Sequence, residues 1–146
     1  MIGKSITLLL AVILFIPFTV FADRYTDNGN DTITDNVTGL IWQKEDDNTT
    51  SAWEQAIAAC EGLDFAGYDD WRLPNIKELR SIVDNSRYSP AIDTTYFPNT
   101  DVSYYWSSTT GANNAALAWY VYFSSGNLGY GNKSDSYYVR CVRGGE

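Results

Sequence analysis

The 146-residue sequence has no histidine, two cysteines, one methionine and four prolines. Without histidine, serine-histidine and cysteine-histidine nucleophile assemblies are impossible, and the commonest metal ligand is missing. Two thiols are too few for a cysteine-built zinc site. Neither a phosphate-cradling glycine loop nor a dinucleotide glycine fingerprint is present. Basic residues are scarce too: ten Lys and Arg stand against eighteen Asp and Glu, a net charge of −8. Such a surface repels nucleic acid, anionic membranes and heparin-like polyanions at long range, so no nucleic-acid partner is expected.

There is one long apolar run. "MIGKSITLLLAVILFIPFTVFA" sets Lys4 before Ile6 to Phe21 and ends in Val20-Phe21-Ala22, the pattern of a secretory signal peptide over residues 1–22. A retained anchor is the alternative; no cysteine follows the run to carry a lipid. Cleavage removes Lys4 and leaves nine basic against eighteen acidic residues, a charge of −9. Residues 23–146 are of single-domain size, able to bury about two-thirds of their extended surface. The expected location is secreted, periplasmic or cell-surface, with no stable membrane insertion once the signal is cleaved. In that oxidising space the only intramolecular cysteine pairing is Cys60 with Cys141. Closing that loop contributes roughly 4 to 4.5 kcal/mol in the chain-entropy model. An intermolecular bridge and two buried thiols are the alternatives.

Residues 24 to 44 read as short strands and tight turns, with Asn28-Gly29 and Gly39 at bends and Leu40-Ile41-Trp42 as a buried strand. Ser51 is expected to cap a helix with Glu54 in a capping box, and Trp53, Ile57 and Cys60 share its inner face. Asn75 and Glu78 predict a second capping box, opening a helix with Ile76, Leu79, Ile82 and Val83 as its apolar stripe. After an irregular stretch from 84 to 101 the pattern is wholly β. Residues 104–108, 117–125, 128–131 and 137–144 are expected as strands of an antiparallel sheet, with Ser124 to Asn127 as a hairpin turn. The order gives one α+β domain, two helices packed on an antiparallel sheet with a single disulfide.

The segments "TDNGNDTITDNVTGLIWQK", "AGYDDWRLPNIKELRSIVD", "YYWSSTT", "AWYVYFSSG" and "YYVRCVRGG" closely resemble a bacterial exported domain of unknown function. Its best-named member is the C-terminal domain of the Legionella collagen-like adhesin. The resemblance implies a C-type-lectin-like fold, with the first helix bonded to the last strand, here Cys60 to Cys141. It also implies a surface or adhesive role, which in the adhesin itself includes glycosaminoglycan binding. The Glu-Pro-Asn and Trp-Asn-Asp motifs of calcium-dependent lectins are absent, "LPN" at 73 to 75 carrying Leu in place of the acid. The related formylglycine-generating enzymes need catalytic cysteines, which a structural bridge would consume. The collagen-like stalk is also absent from the sequence, so trimerisation is not implied.

The C-terminal region supplies the candidate ligand residues: Asn113, Asn114, Tyr120, Tyr122, Asn127, Tyr130, Asn132 and Asp135. Tyrosine gives rigid contact area and asparagine gives adaptable hydrogen bonds. Strand alternation predicts Trp119, Val121 and Phe123 in the core, and Tyr120 and Tyr122 on the other face. Packing of the tyrosines under long loops is the bland alternative. Asp27, Asn28, Asp31 and Asp35, with Asn30 and Asn36, offer oxygen ligands for calcium, although turn geometry explains the same residues. No other cofactor is indicated. Asp69 and Asp70 offer a carboxylate pair of the glycosidase kind, but adjacent residues in an extended segment point apart, and an ion pair with Arg72 is the expected role. Arg140 and Arg143 sit on opposite strand faces and do not form an anion patch. These readings converge on a secreted, non-catalytic module that recognises a cell-surface glycan or an extracellular protein through an aromatic and Asn-rich face. A self-associating structural subunit of an envelope or filament assembly is the alternative.

Overall fold

The computed structural model describes residues 22–145. Apart from Ala22, the expected signal peptide lies outside them. The described chain opens with β1 (Tyr25–Asp27), β2 (Thr32–Asp35) and β3 (Ile41–Gln43). They form an antiparallel meander whose bends use Gly29 and Gly39, both at φ +74°, a conformation open to glycine because it has no Cβ.

β4 (Thr50–Ser51) leads into α1 (Trp53–Glu61). Ser51 does not cap this helix. The N-cap is Ala52, without a side-chain cap, and Ser51 is a strand residue paired with Tyr137. The Trp53 N–H instead donates to the Lys133 carbonyl at 3.0 Å, so a distant loop does the work assigned to a hydroxyl. In α2 (Ile76–Ser81) the capping box is present in both directions, Glu78 N to Asn75 Oδ1 at 2.9 Å and Asn75 N to Glu78 Oε1 at 2.8 Å.

The irregular stretch precedes β5 (Tyr104–Thr110), β6 (Leu117–Tyr122) and β7 (Asn127–Asn132). Gly126 at φ +78° turns β6 into β7. The final run is not one strand: it divides into β8 (Tyr137–Tyr138) and β9 (Val142–Arg143). Sheet order is β1-β2-β3-β9 in one sheet and β4-β8-β5-β6-β7 in the other. The second sheet is mixed rather than wholly antiparallel, because β8 lies parallel to β5 at Tyr105 and Tyr138. Cys141 fixes the step between sheets. Its N–H donates to Gln43 Oε1 at 2.8 Å, its carbonyl accepts from Gln43 N at 3.2 Å, and its sulfur is bonded to Cys60 across 81 residues of sequence.

The five-stranded sheet divides two cores. On one side Tyr105, Val121 and Phe123 pack against Leu79 and Ile82 of the α2 segment and against Ile33, Leu40 and Trp42 of the smaller sheet. On the other, Trp106, Ala118 and Val139 pack against Ala56 and Cys60 of α1 and against Trp71 and Leu73 of the linker. The two helices therefore cover opposite faces of one sheet, and the disulfide ties α1 to the sheet-to-sheet step at Cys141. No helix of the described residues is long and apolar enough to cross a membrane.

Candidate functional site

Residues directly opposite on antiparallel strands point to the same face. Pairing of Tyr104 with Tyr122, Trp106 with Tyr120, and Tyr120 with Gly129 therefore gathers aromatic rings on the face that carries α1. Tyr104 is the centre. Its ring centroid lies 4.7 Å from that of Tyr120, 4.5 Å from that of Tyr122 and 5.1 Å from that of Tyr137. Trp106 continues the row, 4.3 Å from Tyr137, and its Nε1 donates to the Ser51 carbonyl at 2.9 Å. Trp106 is fully buried, whereas the four tyrosines are half-buried.

Two glycines shape this face. An ideal Cβ on Gly129 would lie 2.6 Å from Tyr120 Cζ, and one on Gly131 would lie 2.5 Å from Tyr137 Cε2. The rings lie flat across β7 because that strand has no side chains there. Burial, reinforced by the Asp135 carboxylate, pushes the Tyr137 hydroxyl up to about 12. Burial, then Tyr104, raises Tyr120 as well. These two hydroxyls stay neutral at physiological pH, each able to donate and accept a hydrogen bond. Asp135 Oδ2 accepts from Asn132 N at 3.1 Å and from the Tyr137 hydroxyl at 3.3 Å, tying the β7–β8 turn to the cluster.

The eight residues expected to bind ligand fall into two groups. Tyr120, Tyr122 and Asn127 share the α1 face, with Asp135 reaching it through Tyr137. Tyr130 and Asn132 pair with Trp119 and Leu117, which places them on the other face, beside the β5–β6 loop that carries Asn113 and Asn114. Trp119 belongs to neither core: it is half-buried and packs at a tilt against Tyr130, ring centroids 3.9 Å apart. Tyr104, Gly129 and Gly131 were not singled out from the sequence. Their signal was the alternation in "LGYGN", where glycines every second residue leave one strand face bare for neighbouring rings.

The acidic cluster at the N-terminal turns is already engaged. Asp27 pairs with Lys44 at 2.8 Å, and that hydrogen bond lowers its pKa. Buried Asp35 accepts from Arg24 at 3.1 Å and from Val37 N at 2.9 Å. Asn28 bonds Thr32 and Thr34, and exposed Asp31 occupies a turn at φ +63°. Among the described residues no group of three or more His, Cys, Asp or Glu is placed to hold a metal ion. Asp70 pairs with Arg143, not Arg72, at 2.6 and 2.9 Å, and Arg143 also lies over the Tyr68 ring at 3.7 Å. Arg72 instead grips Glu78 with both nitrogens, at 2.8 and 2.6 Å. Arg140 is wholly buried on Asp46.

No curated protein matches the chain. The family model of the Lcl C-terminal domain matches residues 31–143. That span takes in β2 to β9, both helices and both cysteines, well over half of the sequence. The chain belongs to the Lcl C-terminal domain family, an adhesin-associated bacterial module.

Proposed function

We propose that this domain is an exported binding module of C-type-lectin-like architecture that recognises a cell-surface glycan or an extracellular protein. The observation that carries the reading is the tyrosine cluster: Tyr120, Tyr122 and Tyr137 with ring centroids 4.5 to 5.1 Å from that of Tyr104, all four half-buried, and Trp106 packed beside Tyr137 at 4.3 Å. Rigid rings bind with little loss of rotamer freedom, and neutral hydroxyls suit polar partners. Supporting the architecture are the disulfide from α1 to the end of the chain and the pairing of β9 with β3. Membership of an adhesin-associated family supports work outside the cytoplasm, where a disulfide persists.

The test is a glycan array with oxidised residues 23–146, run with calcium and again with EDTA. Saturable binding that falls at least tenfold in Tyr122→Ala supports the reading. The EDTA arm measures whether the Asp27 to Asn36 turns contribute through calcium. Failure of every glycan and of extracellular-protein pull-downs overturns it. A structural subunit remains the second reading, favoured by one observation: β7 ends its sheet and carries no charge or proline along Asn127–Asn132, and such an edge invites strand pairing. Sedimentation at micromolar concentration distinguishes the two. Reversible self-association without any glycan response supports the subunit.

A further inference from the structure

We propose that the β5–β6 loop and Tyr130 form a second binding site, which takes one uncharged sugar ring. It lies on the sheet face opposite Tyr120 and Tyr122, so it is separate from the tyrosine cluster and can fail independently of it. The cavity measures about 140 Å³ and is lined by Gly111, Ala112, Asn113, Asn114, Leu117 and Tyr130.

The loop is built to hold its shape. Gly111 N donates to the Leu117 carbonyl at 2.8 Å, Leu117 N to the Asn114 carbonyl at 3.1 Å, and Ala116 N to Asn114 Oδ1 at 2.9 Å. An ideal Cβ at Gly111 would stand 3.1 Å from the Asn114 carbonyl, so the tight loop favours glycine there. With Asn114 Oδ1 occupied, its amide nitrogen is left to donate. The exposed Asn113 side chain makes no hydrogen bond to the described protein. Tyr130 is 50% exposed, and Trp119 supports its ring at 3.9 Å.

Three features select the ligand class. In a chain this acidic, no charged side chain lines the cavity, which disfavours both cations and anions as its main occupant. Amide donors and acceptors beside an aromatic ring match a molecule with hydroxyls on its rim and C–H groups on its face, since partly positive C–H groups settle against the negative face of an aromatic ring. The volume is well below the roughly 300 Å³ at which drug-sized pockets begin, so the site accommodates one ring rather than a chain. A neutral pyranose has all three properties.

The experiment is an NMR titration of oxidised residues 23–146, following the Asn113 and Asn114 side-chain amides and the backbone of residues 111–117 and 130. The probes are methyl glycosides of glucose, galactose, mannose and N-acetylglucosamine, with methyl glucuronide and glucosamine as charged comparators. At least one neutral glycoside is expected to saturate these signals with a Kd on the order of 1 to 10 mM. Charged comparators should bind several-fold more weakly. Asn113→Ala should weaken binding about tenfold, the loss of one hydrogen bond. Tyr130→Ala, at a half-exposed position, should abolish it with the rest of the spectrum unchanged, while Tyr122→Ala should leave it intact. The proposal is overturned by no saturable shift with any neutral glycoside. Binding that survives Tyr130→Ala, or equal or tighter binding of a charged comparator, overturns it as well.

Discussion

Arg140 Nη2 lies 2.9 Å from Asp46 Oδ2, with the two side chains only 0 and 1% exposed. The guanidinium also donates to the carbonyls of Gln43 and Lys44 at 2.8 and 2.6 Å, and to Thr100 Oγ1 at 3.0 Å. The Tyr105 hydroxyl donates to the same Asp46 oxygen at 2.9 Å. Four separate stretches of chain therefore meet at one buried pair.

Removing one member strands the other. Arg140→Met is expected to cost about 3 to 5 kcal/mol in urea unfolding, because Asp46 stays buried with its main countercharge gone. The double variant Asp46→Leu, Arg140→Met should recover much of that loss. Additive destabilisation by the two changes would contradict a coupled pair.

Gly129→Ala places a methyl inside the space of the Tyr120 ring. Overpacking of this kind costs about 1 to 3 kcal/mol. The cluster should also loosen, visible as a weakened tyrosine signal in near-ultraviolet circular dichroism. Adding Tyr120→Ala to the same chain removes the clash and should restore stability relative to that tyrosine variant alone.

Alkaline stability follows from the raised tyrosines. Burial pushes Tyr25 to about 12, burial and Asp135 push Tyr137 to about 12, and burial with Asp46 drives Tyr105 further up. Each folded value exceeds the unfolded value near 10, so the contribution is complete below pH 10 and is lost as pH rises toward 12. The urea midpoint should fall over that window, and Tyr137→Phe should flatten part of the slope. A midpoint independent of pH up to 12 would contradict it.

Acid stability depends on Glu78. Burial works to raise its pKa, but hydrogen bonds from Arg72 and from Asn75 N outweigh it and hold the carboxyl below its usual 4.5. The folded value is depressed, so the stabilisation is present above pH 4.5 and disappears as pH falls through the folded value. Glu78→Gln should lower the neutral-pH midpoint and make the acid-side decline shallower than in the parent.

Local patterns were legible where they were also tertiary facts. Asn75 and Glu78 cap a helix because the box needs only residues three apart. Cys60 and Cys141 could pair within the chain in only one way. Ser51 misled because strand pairing with Tyr137 claimed it first, and the Lys133 carbonyl served the helix in its place. Arg140 reads as surface on charge alone; its burial depends on Asp46, 94 residues earlier. Alternation placed Tyr120 and Tyr122 together correctly, and it also groups Tyr137, Val139 and Cys141, which share one core although their strand breaks. The division of the candidate ligand residues between two faces followed from the β6–β7 register, which no single-strand pattern reveals.

Residues 137 to 143 supply a strand to each sheet and carry the second half of the disulfide. Order of synthesis then matters. Until those residues emerge, the five-stranded sheet lacks its inner strand β8 and the smaller one lacks β9. Chain delivered from its N-terminus cannot complete either sheet before those residues arrive. The tail acts as a latch: a chain stopped at residue 136 is expected to remain protease-sensitive, and the Cys60–Cys141 bond holds the latch shut.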